Sequence, residues 1–141
     1  LDFGARLARA LKPGARIYLS GDLGAGKTTL VRGVLRELGM HDKVKSPTYT
    51  LVELYKLSKL DLYHFDFYRF NDPAEWADAG LRELFTDTAV IIVEWPERVR
   101  EALPEADIAL TISPRESGRQ IAVAATSQLG KQMLETLRGG V

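Results

Sequence analysis

Eight residues near the N-terminus, Gly21-Asp22-Leu23-Gly24-Ala25-Gly26-Lys27-Thr28, carry the clearest chemistry in the chain. They satisfy the spacing Gly-x-x-x-x-Gly-Lys-Thr. In that pattern the glycines let backbone N–H groups close on phosphate oxygens, and the lysine charge reaches the β- and γ-phosphates. The N–H groups would point from a helix N-terminus, where the macrodipole also favours an anion. The Thr28 hydroxyl is of the type that ligates Mg²⁺ beside a nucleoside triphosphate. The segment Asp22 to Thr29 is therefore the expected phosphate cradle. The bland reading, a Gly-rich tight turn before an ordinary helix, fits the spacing less well.

A metal site needs more than one hydroxyl, and hydrolysis needs a group that orients water. Glu94 ends the apolar run at 89–93, which reads as a strand buried on both faces. If that strand runs parallel to Ile17-Tyr18-Leu19, Glu94 emerges beside the phosphate loop and completes the Mg²⁺ shell with Thr28, directly or through water. Asp66 ends another apolar run, Leu62-Tyr63-His64-Phe65, and competes for the same work; its plainer role is a salt bridge with a base such as Arg69. Spacing does not rank the two acids. His64 reads as a packed, hydrogen-bonded strand residue rather than a general base. Trp95 suits either the core or a place against the nucleotide. Arg98, Arg100, Arg115 and Arg119 default to a solvated face.

Helical spacing of Phe3, Leu7 and Leu11 predicts a first helix, stopped at Pro13-Gly14. A second helix starts at Lys27 with the stripe Leu30, Val31, Val34, Leu35 and Leu38, and Gly39 closes it. Runs at 51–57 and 60–67, joined at Ser58-Lys59, predict an antiparallel hairpin. A second hairpin is expected from the alternation of Ile108, Leu110 and Ile112 and of Ile121 and Val123, with 114–118 between. Asp72, Pro73 and Glu75 have the types that open a short helix. Leu129, Met133 and Leu137 mark a last helix before Gly139-Gly140. Two hairpins cannot both be parallel crossovers, so the expected fold is α/β: a P-loop NTPase-like mixed sheet flanked by helices.

The length of 141 residues predicts one domain, 1–141. The chain has no cysteine, which removes disulfides and thiolate metal sites. Lys+Arg and Asp+Glu are both 19, so there is no basic excess of the kind that holds nucleic acid unaided. No apolar run approaches the roughly 20 residues that span a bilayer, and no signal peptide is visible, so a cytoplasmic, membrane-free protein is expected.

The chain resembles the TsaE family, formerly called the YjeE family. The carrying segments are the phosphate loop through Thr29, then Ser46-Pro47-Thr48-Tyr49-Thr50-Leu51-Val52-Glu53, His64-Phe65-Asp66-Phe67-Tyr68-Arg69 and Val93-Glu94-Trp95-Pro96-Glu97. The resemblance runs over nearly the whole chain. The Ser-Pro-Thr-Tyr-Thr and Glu-Trp-Pro segments make it specific, where the phosphate loop alone would not. It implies a bacterial P-loop ATPase that binds Mg²⁺ through Thr28 and Glu94, needs Asp66 for activity, and has Trp95 near the nucleotide. It also implies that Arg119 helps hold the nucleotide and that 46–50 forms a switch-like loop over the phosphates. Family members act with the proteins TsaD and TsaB, which place a threonylcarbamoyl group on a tRNA adenosine beside the anticodon, and ATP hydrolysis drives turnover of that assembly. tRNA would be met only through the complex. In the family, residues before the first helix contribute to the adenine pocket; the sequence starts at Leu1, so that part of the pocket is expected to be incomplete.

Two other functions use similar parts. A small-molecule or nucleoside kinase also pairs a phosphate loop with a strand-end acid, but it needs an acceptor pocket and a mobile arginine-bearing lid, for which 114–119 is the candidate. A GTPase-type switch would carry a guanine-reading Asn-Lys-x-Asp segment, which the sequence lacks.

Overall fold

The computed structural model describes residues 2–21, 26–40, 52–57, 60–67, 81–96, 103–115 and 118–139. Within them, helix α1 is Asp2–Ala10, strand β1 Arg16–Ser20, helix α2 Lys27–Glu37, β2 Val52–Lys56 and β3 Asp61–Asp66. A 3-10 turn at Leu81–Leu84 precedes β4, Val90–Glu94. The chain continues through β5, Ile108–Arg115, and β6, Gly118–Ala125, to helix α3, Gln128–Gly139. The short helix expected from Asp72, Pro73 and Glu75 lies outside the described residues.

The six strands form one sheet in the order β2-β3-β4-β1-β5-β6. The inner four are parallel, and β2 and β6 are antiparallel to their neighbours at the two edges. This is the mixed α/β sheet with two hairpins that the alternation patterns predict. The central position of β4 explains its unbroken apolar run: both faces are covered, and all five residues are buried. Edge strand β6 alternates half-buried and exposed residues along most of its length, as a strand with one wet face should.

Alternation along the strands divides the core in two. Ile17, Leu19, Leu62, Val90, Ile92, Ile108 and Leu110 face Leu7 of α1, Leu30, Val31, Val34 and Leu35 of α2, and Met133 and Leu137 of α3. The opposite face carries Phe65, Phe67, Ile91 and Val93, covered by Tyr18, Leu84, Phe85 and Leu103. The three helices of the described residues therefore pack on one face, and that face leads up to Lys27. α2 ends with Met40 N–H on the Leu35 carbonyl, 2.9 Å, around Gly39, the closing pattern expected from sequence.

The starts of β1, β5 and α3 are tied by Asp107. Its carboxylate accepts from Arg16 N–H at 2.8 Å and from the Ser127 hydroxyl at 2.6 Å, while the Ser127 oxygen caps Gly130 N–H at 2.9 Å. The helix can come this close only with glycine at 130, where a Cβ would stand 1.9 Å from the Asp107 carbonyl oxygen.

Candidate nucleotide-binding site

Strand β1 delivers the chain to Gly21 and α2 receives it at Lys27, so the predicted cradle lies at a strand–helix junction at the carboxyl end of a central parallel strand. Asp22, Leu23, Gly24 and Ala25 lie outside the described residues. Gly26 is the N-cap of α2 at φ 106°, a backbone that side chains resist, and no side chain caps the helix there. Its first turn holds no acid, so the N-terminal N–H groups meet no carboxylate of that turn. Thr28 and Thr29 follow in the same turn, half-buried and exposed respectively.

Lys27 is 5% exposed, and its ammonium donates to the Gly21 carbonyl, folding back across its own loop. The same ammonium sits 3.8 Å from the centroid of the Trp95 ring. Trp95 has φ 58°, a left-handed conformation that costs a bulky residue about 1–3 kcal/mol. Its N–H still bonds the Leu19 carbonyl at 3.3 Å, so the chain turns sharply as it leaves β4 and brings the indole to the loop. The ring packs against the second core cluster, one of the two settings left open for Trp95, and contacts the Lys27 ammonium.

Glu94 is the last residue of β4, not the first beyond it. It pairs in register with Leu19 of β1 on one side and Asp66 of β3 on the other. Both acids thus stand at the carboxyl ends of parallel strands beside the junction, on the helix-covered face by alternation. The strand lies one residue later than 89–93, and Glu94, its last residue, is 3% exposed.

His64 lies two residues before Asp66 on that same face, fully buried, with Nε2 2.6 Å from Glu94 Oε2. It is packed and hydrogen-bonded as expected, but its partner is one of the two candidate acids, which sequence reading missed. The i, i+2 spacing of His64 and Asp66 puts both on one strand face, but the contact with Glu94 depends on the register between β3 and β4, which that spacing does not give.

Arg119, at the start of β6, reaches the loop from the other side. A Cβ added at Gly26 would fall 3.0 Å from its Nε and 3.2 Å from its Cδ, so the arginine lies against the last glycine of the cradle. The β5–β6 hairpin brings it there through the pairing Pro114↔Arg119 and Arg115↔Gly118. Tyr18, also in the second core cluster, donates to the Pro104 carbonyl, and burial raises its ionisation above the ordinary tyrosine range. The 46–50 segment lies outside the described residues.

The chain is similar to known proteins over most of its length. A family model described as "Threonylcarbamoyl adenosine biosynthesis protein TsaE" matches residues 1–121. The chain is 43% identical over 139 residues to the tRNA threonylcarbamoyladenosine biosynthesis protein TsaE of Haemophilus influenzae, covering 95% of this chain and 88% of the relative. It is 38% identical over 135 residues to the protein of the same name from Bacillus subtilis, covering 94% and 84%. The crystal structure of YdiB from Bacillus subtilis superposes with a TM-score of 0.80 at 33% identity, over 98% of this chain and 86% of that one.

Proposed function

The chain belongs to the TsaE family, and on that premise we propose that it is a Mg²⁺-dependent ATPase serving tRNA threonylcarbamoyladenosine biosynthesis. The reading is cytoplasmic hydrolysis of ATP to ADP and phosphate that drives turnover of a TsaD–TsaB assembly, with tRNA met through that assembly. The observation that carries the enzymatic part is the register Leu19↔Glu94↔Asp66. It sets two carboxylates side by side next to the strand–helix junction that bears Lys27.

In this reading the backbone from Asp22 to Thr29 holds the phosphates. Lys27 exchanges its Gly21 carbonyl and indole contacts for the β/γ-phosphate oxygens, and Arg119, already against Gly26, adds a second positive charge. The donors suit Mg²⁺, since the Thr28 hydroxyl and the Glu94 carboxylate are hard oxygen ligands on adjoining elements. Bound there, the ion would neutralise charge on the β- and γ-phosphate oxygens. Asp66 accepts a proton of the attacking water and orients it.

A kinase remains the alternative class. Four of its candidate lid residues, Pro114, Arg115, Gly118 and Arg119, are paired in the β5–β6 ladder, which argues against a mobile lid. The deciding experiment is product analysis: ATP turnover should yield inorganic phosphate in the absence of any acceptor. Phosphate appearing only on an added small molecule or nucleoside would refute the ATPase reading.

A further inference from the structure

Glu94 presents an electrostatic problem that the fold solves with His64. A carboxylate 3% exposed at the end of a buried strand loses most of its hydration, and a donor must replace it. Lysine or arginine would do so by forming an ion pair, which neutralises the charge a cation would use. An imidazole N–H fixes one oxygen and leaves that charge in place. The His64 ring is completely buried, with Nε2 2.6 Å from Glu94 Oε2, and its Nδ1 has no hydrogen-bond partner among the described residues. The hydrogen that faces the carboxylate is therefore assigned to Nε2, where the carboxylate accepts it, since a hydrogen on Nδ1 would be a buried donor without an acceptor among the described residues.

The backbone makes the contact reproducible. His64 pairs with Ile92 and Asp66 pairs with Glu94, so the imidazole comes from one rung below the acid on the neighbouring parallel strand. Both side chains lie on the same sheet face, and both strands are inner members of the sheet. A fully buried ring on that face has few alternative rotamers, so the carboxylate oxygen it holds is kept in one place.

We propose that His64 is a positioning residue for the metal site: its Nε2–H pins Oε2 of Glu94, so that Oε1 is presented to the cation in one orientation. This rests on the proposed nucleotide–Mg²⁺ site and deepens it. Carboxylate ligands held by such outer partners typically lose about 10–100-fold in metal affinity when the partner is removed.

The test uses Mn²⁺, a spin-active cation that accepts the same oxygen ligands. Mn²⁺ binding to the ADP-loaded protein is read by electron paramagnetic resonance, and ADP affinity in EDTA is measured separately. His64→Phe, which keeps the ring and removes the donor, should weaken Mn²⁺ binding by about tenfold or more and leave metal-free ADP affinity unchanged. His64→Gln, whose amide N–H can stand near the place of Nε2, should recover most of that loss. If His64→Phe does not fold, His64→Asn, too short to reach Glu94, replaces it. Unchanged Mn²⁺ affinity in the donor-less variant, equal loss in His64→Gln, or a matching fall in metal-free ADP affinity would overturn the proposal. A wild-type protein whose ADP complex binds no Mn²⁺ would overturn the metal reading itself.

Discussion

Lys27 and Trp95 form a cation–π pair, with the lysine ammonium 3.8 Å from the centroid of the indole ring. Such contacts are worth about 0.5–2 kcal/mol, more when desolvated, and this lysine is nearly buried. The pair and the Gly21 carbonyl together hold the charge at the junction of β1 and α2.

Nucleotide binding should therefore be visible in the emission of Trp95, because drawing Lys27 to the phosphates removes a cation from the ring. The other tryptophan, Trp76, is silenced by Trp76→Phe. The single-tryptophan variant should change its emission as ADP saturates the site. An emission spectrum that stays constant through saturation would mean that the lysine does not leave the ring.

Gly26→Ala should damage both stability and binding. The methyl group would sit at φ 106° and press on Arg119. The arginine end can move aside, so backbone strain sets most of the cost, about 1–3 kcal/mol. Urea denaturation should register that loss, and ADP titration a weaker affinity. A variant as stable as the wild type would show that the left-handed cap is not required.

The division of labour between the two acids is open to a direct comparison. Glu94→Gln keeps shape and a hydrogen-bonding group for His64, so it should spare nucleotide binding while Mg²⁺-dependent hydrolysis falls by about a hundredfold. Asp66→Asn should lower kcat with less effect on the Mg²⁺ requirement. Normal hydrolysis by Glu94→Gln, with Asp66→Asn inactive and its Mg²⁺ requirement altered, would transfer the metal role to Asp66.

The elements were largely legible because periodicity carries them: the stripe Leu30 to Leu38 for α2, the apolar run of β4, the alternation of β5 and β6. Acid placement was legible up to a condition, that β1 and β4 run parallel, which the sheet meets. The His64–Glu94 contact was not, because it depends on the register between strands 30 residues apart, and no local pattern encodes that. Arg119 illustrates the same limit. Charge patterning assigned it to a solvated face, the family resemblance assigned it to the nucleotide, and its contact with Gly26 arises from a hairpin that carries it back to the loop.

Coupling to partners gives a separate prediction. If ATP hydrolysis drives turnover of a TsaD–TsaB pair, that pair must bind the ATP and ADP forms differently, since a ligand shifts an equilibrium only through differential affinity. Titrations of the pair against the two forms should give unequal dissociation constants. Substitution of Thr48 or Tyr49 should shrink the difference more than it weakens ATP binding. Equal constants would leave no coupling.

The central claim, that Lys27 and its loop hold the triphosphate for hydrolysis, is tested most directly by phosphate release from ATP and Mg²⁺ by the wild type and Lys27→Ala. The account predicts steady release by the wild type, abolished by EDTA, and at least a roughly hundredfold loss in the variant, as expected when a preorganised charge facing the transferred phosphate is removed. Release by Lys27→Ala at the wild-type rate would contradict it.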